Sequence, residues 1–556
     1  MISKFEEYFK GSFEKENETY IIDKKDIRGA IAYLKNELSY NFFVDLSVID
    51  YLKYVEKRVS RFAVVYILRG ENFKESVVLK CYLDDDDLEI ETISDLFVGA
   101  NWAEREAYDQ YGVVFKKHPN LKRILNHKEF IGHPLRKDYP ITQRHLCIET
   151  DDLMDEMSKK LRYRGYDENG DLTFLNLGPA HPASHGTIRT FVALKDEKIV
   201  SAVSEIGYLH RGFEKSCENH KYYQIIPYTD RLNYCSAILN NIAYAHAVEK
   251  MIGIEIPDRA KFIRVIIGEL SRIIDHLVCL AAALVDMGAL TNYWYLYNPR
   301  ETVYDLLSKL TGARLTNSYM RIGGVKSDFY DGFEEDLNVC IKDIQKGVSD
   351  SLKLVAHNKI FLDRTQNVGI IDAQDAIERG ISGPNLRACG VAYDLRVAKP
   401  YYYYDTFDFE IPVGSVGDVY DRLMVRFEEI NQSISIIKQA MKRLPKGEIS
   451  VDDKRVFLPK KSAVYNTIEG VINQFKLIYE GVKVPTKESY EAIEGANGEL
   501  GFFIVSDGSG TPYKIKVRPP CFYSMSALPE IIENHLVADA IVTLSSLNII
   551  AGELDR

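Results

Sequence analysis

From Pro257-Asp258 to Met287 the sequence reads as one continuous helix closed by Gly288, and this length constrains the fold more than any other feature. A helix of that span is stable only with neighbours of similar length packed along it. Those neighbours are legible. One helix is expected from near Thr229 to Met251, stopping before Gly253. Another has Asn298 as cap, Pro299 at its first helical position and Gly312 after its end. More helix is expected from Phe333 to Ala356 and from Asp418 to Leu444, the latter ended by Pro445 and Gly447. Long helices joined by short loops predict a bundle core.

Strands frame this bundle. Leu172 to Leu177, Thr187 to Leu194 and Ile199 to Ile206 precede it, and Phe502 to Val505 and Tyr513 to Val517 follow it. The last two flank Asp507-Gly508-Ser509-Gly510, which no helix follows, so a hairpin turn is expected there rather than a phosphate loop. The first 145 residues have another rhythm. Ile27 to Leu34 reads as a short amphipathic helix, and Val44 to Tyr54, Phe62 to Arg69, Glu75 to Leu83 and Leu88 to Ile93 are strand-like. Asn101 to Tyr111 reads as a helix closed by Gly112. Residues 146–170 are charged and weakly periodic, and are read as a linker. The expected architecture is multidomain: an α/β domain over residues 1–145, then a mainly α domain over 171–556 with a long-helix bundle and peripheral β strands.

Composition narrows the function. A chain of 556 residues is too long for one core, and a net charge of −11 argues against a primary role on nucleic acid. The run Asp84-Asp85-Asp86-Asp87 is read as a solvated acidic loop rather than a metal site. The eight cysteines, at 81, 147, 217, 235, 279, 340, 389 and 521, include no CxxC pair of the kind that holds zinc or an iron–sulfur cluster. Scattered thiols fit a reducing compartment. No apolar secretory segment follows Met1, and the longest greasy stretch, His276 to Leu290, falls short of a membrane span.

Several segments carry a family resemblance. They are Asn176-Leu177-Gly178-Pro179-Ala180-His181-Pro182-Ala183-Ser184-His185-Gly186, the run Gly207-Tyr208-Leu209-His210-Arg211-Gly212 leading on to Asp230-Arg231-Leu232-Asn233-Tyr234, and Ser382-Gly383-Pro384-Asn385-Leu386-Arg387-Ala388-Cys389-Gly390. They are similar to the D subunit of bacterial complex I, the proton-translocating NADH-quinone oxidoreductase, as is the ending Gly552-Glu553-Leu554-Asp555-Arg556. Glu104-Arg105-Glu106, Tyr108-Asp109, His118-Pro119-Asn120-Leu121 and Gly132-His133-Pro134-Leu135-Arg136-Lys137-Asp138-Tyr139-Pro140 resemble the C subunit of the same complex. The likeness covers nearly the whole chain and implies a C/D fusion. It also implies a second domain shaped like the large subunit of nickel–iron hydrogenases. In those enzymes two CxxC pairs hold nickel; here Cys217 stands alone and Leu547 to Arg556 contains no cysteine, so that metal set is missing.

The resemblance implies a quinone head group in the vacated space. His185 and Tyr234 are its expected hydrogen-bond donors, with His181 also at the quinone site. Asp286 is the carboxylate expected to pair with His185, raising its pKa; simple exposure at a helix end is the alternative. Imidazole and phenol suit proton donation, with reference pKa values of about 6.5 and about 10. Arg211 is expected near the terminal 4Fe–4S cluster carried by a partner, the B subunit, unless it makes only a surface ion pair. Two positions depart from the family: Asn233, usually Asp, and Thr316, where many relatives carry a histidine linked to the pH-dependence of that cluster. Cluster reduction less coupled to protons is the resulting expectation. The implied setting is peripheral, on the cytoplasmic face of the inner membrane, beside the B, I, H and A subunits, with NADH and FMN on distant subunits and no metal or cofactor on this chain. The same component in a complex fed by ferredoxin or a deazaflavin, and a non-catalytic scaffold, are the competing readings.

Overall fold

The computed structural model describes residues 2–9, 13–16, 18–140, 142–147, 153–166, 171–184 and 186–556. The first part is built on a five-stranded sheet, in spatial order Phe13–Glu16, Thr19–Ile22, Ser76–Leu83, Phe62–Arg69 and Phe42–Asp50. Its pairings are antiparallel except between Thr19–Ile22 and Ser76–Leu83. Phe62–Arg69 and Phe42–Asp50 are buried along their whole length; the first reads as a nearly continuous apolar run, while the second carries the buried polar residues Asp45, Ser47 and Asp50. Helix Ala100–Tyr111 packs on Phe42–Asp50 and ends where Gly112 takes φ 78, as the sequence indicated. The acidic run is a turn between strands, with Asp85 paired to Arg61 at 3.1 Å and Asp87 paired to Lys24.

The stretch read as linker contains a helix, Met154–Tyr163. Leu153, Met157 and Leu161 recur every fourth residue and pack with Val200 and Val203 of the sheet formed by Thr173–Leu177, Arg189–Lys195 and Lys198–Glu205. So few apolar positions among charged ones hid the period.

In the second part, helix Asp258–Asp286 lies at the centre. It packs against Val419–Lys442, Leu290–Thr311, Ala237–Ile252 and Val537–Leu547. Two expected boundaries differ. Leu290–Thr311 starts eight residues earlier than Asn298 and carries Pro299 inside it. Proline has no N–H for the Tyr295 carbonyl, and Gly347 of helix Phe333–Val355 packs so close to that carbonyl that a Cβ there would collide with it. The helix expected from Thr229 is also interrupted. Tyr222–Thr229 ends, and a short 3-10 turn, Tyr234–Ser236, precedes Ala237–Ile252.

The two parts share one apolar core. Phe43 of the first sheet packs against Phe97 and against Tyr523. Buried ion pairs cross the same boundary: Arg69 makes two 2.8 Å bonds to Glu499, and Lys516 reaches Glu106 at 2.5 Å. The motif around Glu104 to Asp109 explains itself here. Asp109 accepts from the N–H groups of Ile124, Leu125 and Asn126 and pairs with Arg123, while the Arg105 guanidinium donates to the carbonyls of Lys122 and Arg123. These residues hold a loop rather than a ligand.

A lattice of buried charge ties the bundle to the C-terminal sheet of Lys487–Glu494, Glu499–Ser506 and Lys514–Arg518. Arg387 bonds Glu429 at 2.7 Å and Glu494 at 2.8 Å; Arg396 bonds Asp394 at 2.7 Å and Glu269 at 3.2 Å; His276 donates from Nε2 to Glu429 at 2.8 Å. All are buried. Burial lowers the His276 pKa and keeps the ring neutral, while Arg387 and His276 outweigh burial to hold Glu429 well below the usual carboxylate range. Replacing Arg387 by Met strands two buried carboxylates and is expected to cost about 3–5 kcal/mol, read from the urea midpoint. Lys399→Met, at an exposed pair with Glu491, is the control and should cost no more than about 1 kcal/mol.

Glu553 adds a pH term. Burial, then the nearby Asp275 charge, pushes its pKa up from 4.5 to about 7. A raised folded-state value means the native state holds the proton more tightly, so this stability is present below about pH 4.5 and is lost as pH rises through about 7. Glu553→Gln is expected to remove up to about 3 kcal/mol of that decline, measured as the difference in unfolding free energy between acid and neutral pH.

Candidate quinone cavity

Tyr234 owes its position to its neighbour. The buried Asn233 side chain accepts from the N–H groups of Cys235 and Ser236, capping the 3-10 turn, and donates from Nδ2 to Asp275 at 2.6 Å. Asp275 is fully buried on the long helix, and its second oxygen receives Asn548 Nδ2 at 2.5 Å. Asn548 in turn reaches Asn497 at 2.7 Å. One carboxylate thus joins the turn, the central helix and the segment before the last helix, Ala551–Asp555. The departure at position 233 acquires a physical meaning: an amide there donates to Asp275, whereas an ionised Asp would repel it. Asp275 itself was missed by sequence reasoning; a lone acid in an apolar helix face is the signal that marks it.

The turn delivers Tyr234 to a cavity of 420 Å³. Its walls are apolar at Val278, Ala282, Leu544 and Ile549, and aromatic and cationic at Tyr297, Tyr304, Arg300 and Arg314. Arg300 stacks on Tyr297, 3.7 Å from the ring centroid, and both arginines pair with Glu301. Tyr234 is 44% exposed, and burial, then Cys235 and Asp275, pushes its pKa up to about 12. The phenol therefore stays protonated at neutral pH and is a donor.

Asp286 ends the long helix, and its carboxylate accepts from Ser545 Oγ; Ser545 lines the same cavity as Tyr234. Asp286 is thus connected to the cavity that Tyr234 lines through Ser545. His185 lies outside the described residues, so its pairing with Asp286 is not among the described contacts. Its neighbours approach the site: Gly186 packs against Ala551, adjacent to the cavity-lining Ile550, and the single Ser184 O–H lies within reach of the carbonyls of both His181 and Gly186. His181 is exposed on this loop and is not among the residues lining the cavity. Arg211 donates from Nη2 to the carbonyls of Arg231 and Gly552, and burial lowers its pKa, Asp555 opposing. Thr316 stands at φ 52 in the loop carrying Arg314, a left-handed conformation unusual for a β-branched residue. That loop is pinned through Ser318 to Asp230. Among the described residues, no helix is long and apolar enough to cross a membrane.

Comparisons with known proteins agree with this architecture. The family profile described as "Respiratory-chain NADH dehydrogenase, 30 Kd subunit" matches residues 20–145, and that described as "Respiratory-chain NADH dehydrogenase, 49 Kd subunit" matches 286–556. The C/D subunit of the NADH-quinone oxidoreductase of Bdellovibrio bacteriovorus is 47% identical over 96% of this chain and 94% of its own length. The C/D subunit numbered 2 of Aquifex aeolicus is 39% identical over 95% of this chain and 94% of its own. The D subunit of Myxococcus xanthus is 51% identical over 69% of this chain and 92% of its own. The chain therefore belongs to the family of fused C/D subunits of NADH-quinone oxidoreductase, respiratory complex I, and is an oxidoreductase component that works as part of that assembly.

Proposed function

We propose that the 420 Å³ cavity receives a quinone head group and that Tyr234 and His185 donate to its carbonyl oxygens. The observation that carries this reading is a protonated phenol, its pKa near 12, at an apolar and aromatic cavity whose wall also holds the Ser545 hydroxyl bound to Asp286. Reduction needs two electrons and two protons. A phenol of this pKa donates only as charge develops on the acceptor. The guanidinium groups of Arg300 and Arg314 favour an acceptor that gains negative charge. Asp286 orients the His185 imidazole and favours its protonated form, and His181 and His185 ride a loop able to report quinone occupancy.

The electrons come from a 4Fe–4S cluster on the B subunit, beside Arg211, supplied ultimately by NADH through FMN on distant subunits. The I, H and A subunits complete the surroundings at the cytoplasmic face of the membrane. With Thr316 contributing no imidazole, cluster reduction is weakly coupled to protons; a full pH slope in a redox titration of that cluster would contradict this. A pure scaffold gives no reason for a tyrosine at the wall of a cavity, on a turn fixed by the buried Asn233, Asp275 and Asn548.

In the assembled complex, Tyr234→Phe and His185→Ala are each expected to lower quinone reductase activity by about 10²-fold, the lower end for loss of a general acid. NADH-driven reduction of ferricyanide should persist. Unchanged quinone reduction in both variants would refute the assignment.

A further inference from the structure

One cluster of side chains takes no part in this chemistry. His127, Glu129 and Cys147 each bring one ligand-type atom, an imidazole nitrogen, a carboxylate oxygen and a thiol sulfur, all within 4.8 Å of one another. His127 and Glu129 lie in the gap between two of the family-like segments of the first domain, and Cys147 lies beyond the second. We propose that these three residues bind one divalent transition-metal ion, zinc by the chemistry of the set, and that the ion fastens the chain leaving the first domain to that domain.

Zinc accepts sulfur, nitrogen and carboxylate oxygen together, with bonds of about 2.0–2.3 Å, so a tetrahedral site needs ligand atoms within roughly 4 Å of each other. A small closure of the side chains reaches that spacing. An independent observation points to a ligand. His127 Nδ1 is shielded from solvent and has no hydrogen-bond partner among the described residues, and a buried polar atom of this kind calls for an ion or water. Cys147 is exposed whereas the other seven cysteines are buried, so its thiol alone is open to an incoming ion without opening the core.

The surroundings tolerate the charge. The cluster borders a cavity of 150 Å³ lined also by Arg105, Lys122 and Arg123. Lys122 is paired with Glu156 at 2.6 Å and Arg123 with Asp109 at 2.7 Å, while Arg105 is engaged by backbone carbonyls. His145, its ring 6.2 Å from that of His127, is committed elsewhere: Nε2 meets the Tyr139 hydroxyl at 2.6 Å and Nδ1 accepts from Ile131 N–H at 3.3 Å. Three protein ligands and a water complete the tetrahedron. Binding converts the Cys147 thiol to thiolate and releases its proton to solvent, so affinity rises with pH.

The test uses the full chain, stripped with chelator and titrated with Zn²⁺ by calorimetry and with Co²⁺ by absorption. One equivalent is expected with Kd at or below about 1 μM, and the Co²⁺ form should show a thiolate-to-metal charge-transfer band. Cys147→Ser, at an exposed position that leaves the fold intact by circular dichroism, should abolish the band and weaken Zn²⁺ binding by about 100-fold or more. Glu129→Gln should weaken it while leaving the band. Zn²⁺ binding weaker than about 0.1 mM, or binding of equal strength in Cys147→Ser, overturns the proposal.

Discussion

The structure hangs on charge buried where water cannot reach it. Arg387, Arg396 and Arg272 stand among Glu269, Asp394, Glu429 and Glu494, all but fully buried. Each ion has given up hydration worth several kcal/mol, so each must be met by a partner at close range. Those partners come from the central helix, from helix Val419–Lys442, from the two short helices Gly383–Ala388 and Leu395–Ala398 with the loop between them, and from strand Lys487–Glu494, so the lattice forms only when the four regions meet in one arrangement. Apolar packing tolerates slippage that this lattice does not. Tyr404 joins it through its hydroxyl to Glu269 at 2.7 Å, which accounts for part of the tyrosine run at 401–404.

The cavity inherits that rigidity. Asp275 is on the same helix as Glu269, Arg272 and His276, so fixing the lattice fixes the carboxylate to which Asn233 binds. Asn233 then sets the turn, and the turn sets Tyr234. The phenol at the cavity wall is thereby placed by the fold itself, before anything enters the cavity. Glu553, its pKa raised to about 7 by burial and then by the Asp275 charge, lies in the same buried neighbourhood.

Much of the secondary structure could be read directly from the residues. Gly112, Gly253 and Gly312 stop helices where they were expected to, because each adopts positive φ that a side chain resists. Leu172 to Leu177 and Phe62 to Arg69 appear as strands within a residue of their expected limits. The failures are equally specific. Pro299 reads as a helix start, yet the helix runs through it, with Gly347 of the neighbouring helix packed tightly against the turn it interrupts. Thr229 looked like a helix start because the apolar period runs on across the break that Asn233 creates. The regular spacing of Leu153, Met157 and Leu161 was lost among charges.

What the sequence alone determined was kind and inventory. It determined the long helices, the motifs that mark a fused C/D chain, the lack of a nickel ligand set, and Tyr234 and Asp286 as residues of interest. Only the tertiary structure decided which buried acids serve which partners. Asp275, Ser545 and Asn548 meet Asn233, Asp286 and each other across long separations in the chain, and His127, Glu129 and Cys147 converge without any motif spacing. The physical reason is that local periodicity records which face of an element is buried, while the choice of a polar partner is made by desolvation in the finished core, and no short stretch of sequence encodes it.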